Sequence, residues 1–171
     1  ELISNVNGYG VIENLKGNSN KKTILLRGDM DALPINEEND LPFISKNKNI
    51  MHACGHDIHM AVQLGLVKCL AENMNLWRGE VRFFFQPAEE TVGGAKRMLL
   101  EGVNDDKADA IFGLHCAPEI KAGNIGIKYG KLHATSAVFN LEIIGKSAHA
   151  ALAYKGIDSI VIATKVVDYL Q

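Results

Sequence analysis

The sequence predicts an α/β domain with a mostly parallel sheet, followed by the beginning of an α+β domain. Two observations carry that expectation. Short apolar runs alternate with segments of helical periodicity in the order strand, helix, strand, helix, strand, which is the pattern of an α/β layer. After about residue 122 the alternation stops, and two strand-like runs follow each other with no helix between them.

Residues 5–10 read as a turn-rich opening. KTILLR at 22–27 is short, apolar and β-branched, as a buried strand is. Residues 29–49 hold Pro34, Pro42 and several Asn and read as a long loop, a class of segment that is often functional. Residues 57–74 place Ile58, Ala61, Leu64, Leu66, Val67 and Leu70 at helical spacing, with Asp57 as the expected N-cap. GEVRFFFQ at 79–86 is a second buried strand ended by Pro87. A short helix is expected over 94–100 with Gly102 just past its end, then a third strand in ADAIFGL at 108–114. These elements form a first domain over 1–122. Strands over 124–128 and 137–144 and an apolar-faced helix over 156–170 begin a second domain over 123–171 that cannot close a core by itself.

Composition narrows the function. Of 171 residues, 47% are hydrophobic and 22% charged, and the net charge of −2 offers no basic surface for nucleic acid. The apolar runs are too short to span a bilayer. The chain opens Glu1-Leu2-Ile3-Ser4 without the charged flank and apolar core of a signal peptide, and its three cysteines do not make a disulfide framework; a reducing cytoplasm is expected. Without an initiator methionine, it is expected to be a segment of a longer protein.

Ligand-type side chains gather where strands end. Asp29 and Asp31 follow the first strand, Cys54 and His56 precede the first helix, Glu89 and Glu90 follow the second strand, and His115 follows the third. In open α/β sheets the loops at the strands' carboxyl ends converge on the site. Cys54-Gly55-His56 offers a thiolate and an imidazole, a donor set suited to zinc, cobalt or nickel. Glu89 and Glu90 are adjacent, so in an extended segment they would point opposite ways, one to a metal and one to substrate as a general base. Taken singly, each has a bland reading: a buried thiol, a solvated carboxylate pair, a strand-end histidine. Their shared edge argues against that. Cys69, mid-helix, reads as core filler, and Cys116 as a packing residue with some exposure to oxidation. His52 and His59 read as supports for the ligand loop, His133 as a surface residue and Asp29 as a structural hydrogen-bonding group.

Five blocks in order, LRGDMDALPI (26–35), MHACGHDIH (51–59), QPAEE (86–90), GLH (113–115) and GKSAHAA (145–151), resemble the signatures of M20 amidohydrolases, the metallopeptidase family whose members include aminoacylase-like enzymes and N-acetyldiaminopimelate deacetylases. The resemblance covers nearly the whole chain. It implies a zinc-peptidase type of catalytic domain and hydrolysis of the amide bond of N-acyl amino acids. It further implies two divalent cations, zinc first, with manganese, cobalt or nickel as alternatives. By resemblance Cys54 is the ligand shared between the cations, with His56, Glu90 and His115 as the others. Glu89 is the general base, Asp31 orients a ligand, and His149 crosses a homodimer formed by the lid domain to steady the substrate. A last histidine ligand is expected beyond residue 171, so residues 1–171 alone are expected to be inactive or poorly folded. After GKSAHAA the family usually has a proline; here Leu152-Ala153-Tyr154 follow.

Overall fold

A computed structural model describes residues 2–6, 8–19, 22–91, 93–101, 108–134 and 137–171. The chain divides into two compact units, residues 1–124 and 125–171. In the first, strands β1 (Leu2–Val6), β2 (Gly10–Lys16), β3 (Thr23–Asp29), β4 (Glu80–Gln86) and β5 (Ala110–Gly113) form one sheet in the order β1-β2-β4-β3-β5. β3 pairs parallel with β4 and with β5, while β2 is antiparallel to both β1 and β4. Four of the five strands therefore run the same way, and only β2 is reversed.

Helix α1 (His56–Glu72) connects β3 to β4, and α2 (Gly94–Leu100) connects β4 to β5 on the far side of β3. The two crossovers move in opposite directions along the sheet. With right-handed connections, that places the helices on opposite faces. The packing agrees. Leu15, Phe83 and Phe85 pack with Met60, Val67 and Leu70 of α1, whereas Ile12, Leu25 and Phe84 pack with Met98 of α2. The FFF run thus serves both layers by strand alternation. Phe83 is fully buried. Phe83→Ala is expected to cost about 3–5 kcal/mol, read as a lower denaturant midpoint at unchanged slope.

Several expectations change. The turn expected over 5–10 contains the turn at Gly8 (φ 84), but it joins two strands that were not expected, β1 and β2, into a β-hairpin. α1 starts at His56 with Gly55 as N-cap in the left-handed region and no side-chain cap, so Asp57 is an exposed first-turn residue. Its inward stripe is His56, His59 and Gln63, continued by Val67 and Leu70, while Ile58, Leu64 and Leu66 are exposed. Cys69 lies off that stripe and is exposed rather than core filler. Gly28 lets α1 come this close to the sheet, since a Cβ there would sit 2.4 Å from Gln63 Nε2. The expected glycine past α2, Gly102, lies outside the described residues.

In the second unit, a 3-10 helix (Ala150–Lys155) precedes α3 (Ser159–Leu170). α3 begins after Asp158, whose carboxylate accepts from the amides of Ile160 and Val161 at 2.9 and 3.3 Å; this cap starts the helix three residues later than periodicity predicts. Among the described residues the strands expected over 124–128 and 137–144 do not form. Ile125, Ile127, Val138 and Ile144 are 80–89% exposed. Apolar β-branched composition suits a sheet face, but a strand exists only where its backbone finds a neighbour to pair with.

Candidate metal centre

β3, β4 and β5 are parallel, so their carboxyl ends share one edge, and the chain delivers Asp29 and Asp31, Glu89 and Glu90, and His115 there. Gly55 (φ 82) turns the incoming loop so that Cys54 and His56 face that edge. Side-chain donor atoms of Cys54, His56 and His115 lie within 4.8 Å of one another, as do those of His56, Glu89 and Glu90. The residues singled out in the first unit are thus brought together. His149 belongs to the second unit, where it caps the 3-10 helix and its Nδ1 accepts from the Ala151 amide at 3.2 Å.

Hydrogen bonds settle which nitrogen of each imidazole carries its proton. His56 Nδ1 lies 2.9 Å from the Asp31 carbonyl and 3.2 Å from its carboxylate Oδ1, so it donates and Nε2 keeps its lone pair. That Nε2 is buried without a hydrogen-bond partner, as is Glu90 Oε1, and the two stand 3.8 Å apart. His115 Nδ1 donates to the Cys116 carbonyl at 2.8 Å, leaving its Nε2 lone pair 3.4 Å from Cys54 Sγ. Asp31 also holds Glu90, accepting from its amide at 2.9 Å. One residue therefore orients both partners of the buried pair.

Two buried acceptor atoms facing each other without a donor are costly unless a cation lies between them. Nitrogen and oxygen donors on one tetrahedral zinc ion would be about 3.4 Å apart, and sulfur and nitrogen about 3.6 Å. Both observed pairs are close to those spacings, so the donor set fits divalent cations. Burial, followed by the hydrogen bond and charge of Glu90, pushes the Cys54 thiol up to about 11. As a bare thiol it stays protonated at neutral pH; an adjacent cation is what would make it a thiolate ligand.

Asp29, His56 and His59 form a third cluster within 4.8 Å, fully buried, and its chemistry is different. Both nitrogens of His59 are engaged: Nδ1 donates to Asp29 Oδ1, and Nε2 accepts from the Cys116 amide at 2.9 Å. The other Asp29 oxygen accepts from Arg27 Nη1 at 2.6 Å. Burial alone would raise the Asp29 pKa, but the His59 hydrogen bond and the Arg27 charge outweigh it and hold the carboxyl below its ordinary range. Asp29 and His59 are thus committed to one another, to Arg27 and to the Cys116 amide, and only His56 in this cluster has a nitrogen left without a partner, so Asp29 and His59 read as supports of the site.

The Glu89-Glu90 expectation is corrected. The segment is bent at Glu89 and Glu90, just after Ala88 at φ 53, and both carboxylates reach the His56 cluster. They differ in exposure, Glu89 being open to solvent and Glu90 half-buried. What sequence reasoning missed is carried by backbone: the Asp31 carbonyl and the Cys116 peptide, which no residue pattern reveals. Cys116 itself is half-buried, and His133 is exposed as expected. Among the described residues no helix is long and apolar enough to cross a membrane.

Residues 25–168 match the family described as peptidase family M20/M25/M40. An N-acetyl-L-cysteine deacetylase of Bacillus subtilis (strain 168) is 46% identical over 162 residues, covering 95% of this chain and 39% of that protein. An N-acetyldiaminopimelate deacetylase of Lactobacillus acidophilus is 45% identical over 159 residues, covering 92% of this chain and 41% of that protein. Among solved structures, a dinuclear metal-binding peptidase of the M20 family from Bacillus subtilis superposes with a TM-score of 0.72 at 44% identity, covering 76% of this chain and 36% of that one. The chain thus spans about two fifths of the length of these curated relatives.

Proposed function

The chain belongs to peptidase family M20/M25/M40, and from that premise we propose that the protein hydrolyses the amide bond of N-acyl amino acids, releasing a carboxylic acid and a free amino acid. One observation carries the reading: His56 Nε2 and Glu90 Oε1 face each other at 3.8 Å, buried and without hydrogen-bond partners, beside the Cys54–His115 pair. Cys54, His56, Glu90 and His115 would hold two divalent cations, zinc being the choice that best suits a sulfur, nitrogen and oxygen set. When bound, the cations supply Lewis acidity toward the acyl carbonyl and toward water.

The chain's own residues do the rest. Asp31 keeps the His56 proton on Nδ1 and fixes the Glu90 backbone. Glu89, exposed at the edge of the cluster, takes a proton from the attacking water and returns it to the amine nitrogen as the C–N bond breaks. Because His149 Nδ1 accepts from Ala151, its proton lies on Nε2, from which the His149 of a second copy in the homodimer would donate to the developing oxyanion. Residues 125–171 would belong to a lid that pairs two copies into a homodimer, in keeping with exposed apolar side chains such as Val138, Ile144 and Ile160. Three free cysteines favour a cytoplasmic setting.

N-acetyldiaminopimelate is the alternative substrate, favoured by the similarity to the Lactobacillus acidophilus deacetylase. A panel of N-acetyl, N-benzoyl and N-indoleacetyl amino acids together with N-acetyldiaminopimelate, assayed on the full-length protein, tests both. Hydrolysis is expected to vanish with a chelator and return with added zinc, manganese or cobalt. Hydrolysis that persists after the metal has been stripped, or none of any amide in the loaded protein, would refute the reading.

A further inference from the structure

We propose that Asp29 and His59 are positioning residues for His115, acting through the Cys116 peptide. The inference rests on His115 being a metal ligand, as proposed above. His115 follows β5, a strand of four residues exposed along its length, and its own side chain is exposed. β5 is held to β3 by parallel pairing as far as Gly113, and beyond that pairing a chain of hydrogen bonds holds the His115 loop. Asp29 Oδ1 accepts from His59 Nδ1, His59 Nε2 accepts from the Cys116 amide, and the Cys116 carbonyl accepts from His115 Nδ1. The His59 and His115 rings are edge-on with centroids 4.8 Å apart.

Every link has a direction. The carboxylate can only accept, so the His59 proton sits on Nδ1 and its Nε2 must accept from the Cys116 amide. That bond pins the loop where its next carbonyl meets His115 Nδ1, and so leaves the Nε2 lone pair of His115 turned toward Cys54 Sγ at 3.4 Å. Arg27 completes the logic. Its Nη1 donates to the other Asp29 oxygen, and its Nε donates to Gln86 Oε1 at 2.8 Å, so Asp29 must present acceptors on both sides. An asparagine has one acceptor and one donor. With its oxygen toward Arg27, its amide would face His59 Nδ1, reverse that tautomer and set an N–H against the Cys116 N–H. With its oxygen toward His59, its amide would face the guanidinium. A bond is lost either way.

The test titrates Co(II) into the metal-free full-length protein and into Asp29→Asn, recording stoichiometry, affinity and the visible ligand-field spectrum. The parent is expected to take up two Co(II). In Asp29→Asn one of the two should bind about 10–100-fold more weakly with an altered spectrum, the size of effect that outer partners have on a metal site. Should Asp29→Asn fail to fold by circular dichroism, His59→Leu, which removes the same acceptor for the Cys116 amide, is expected to show the same loss. A folded variant that binds both ions within about twofold of the parent, with the parent's spectrum, would overturn the relay. A parent that binds no Co(II) would instead strike at the metal-centre reading itself.

Discussion

Glu89→Gln is expected to lower kcat by about 10²–10⁴-fold, the usual contribution of a positioned general base, while the protein keeps its full complement of cations and its stability. The separation of effects follows from the surroundings. The Glu89 carboxylate lies within 4.8 Å of the His56 and Glu90 donor atoms yet is open to solvent, where a water and a substrate can meet it. Glutamine keeps the size and removes the basic oxygen. Glu90→Gln should behave differently: its Oε1 is buried and faces His56 Nε2, so weakening that donor is expected to lower cation affinity first and turnover as a consequence. Metal content by elemental analysis, beside kcat and KM for both variants, checks the assignment. If Glu89→Gln turns over at the parental rate, or loses metal as Glu90→Gln does, the two roles are wrongly divided.

The candidate site was legible because each candidate ligand stands next to a local landmark. His115 follows a strand, Glu90 follows a strand and a proline, and Cys54-Gly55-His56 opens a helix, so parallel strands alone suffice to bring them to one edge. The face of α1 was legible only in its second half, where Val67 and Leu70 pack inward as their spacing predicts. Apolar spacing pointed to Ile58 and Leu64, but the stripe turned inward is led by His56, His59 and Gln63, because the helix's first turns serve the site before they serve the core. The hairpin of β1 and β2 was missed because its pairing with β4 runs residue by residue, Val11 against Phe85 through Lys16 against Glu80, and such a register is a property of two segments read together. The apolar runs beyond residue 124 were read as strands on composition, which cannot supply a neighbour to pair with.

Cys54 has a rival assignment as the nucleophile of a thiol hydrolase with His56 as its base, and the two readings predict opposite behaviour. The geometry opposes the dyad. His56 Nε2 lies 3.7 Å from Asp29 Oδ1 and 3.8 Å from Glu90 Oε1, and the imidazole within hydrogen-bond reach of the sulfur is that of His115 at 3.4 Å. The thiol, pushed up to about 11 by burial and by Glu90, would be a poor nucleophile at neutral pH, whereas a bound cation would deprotonate it outright. Cys54→Ala is therefore expected to lose cation binding and turnover together, by more than the roughly 10–100-fold that outer partners cost. Cys54→Asp separates the readings. A carboxylate has two oxygens and can bridge two cations, so this variant should recover both ions and a measurable part of the activity; a missing nucleophile would not be replaced in this way. Retention of two cations by Cys54→Ala would take Cys54 out of the ligand set, and a Cys54→Asp protein that holds both ions yet is as inert as the alanine variant would show that the sulfur is needed for attack as well as for binding.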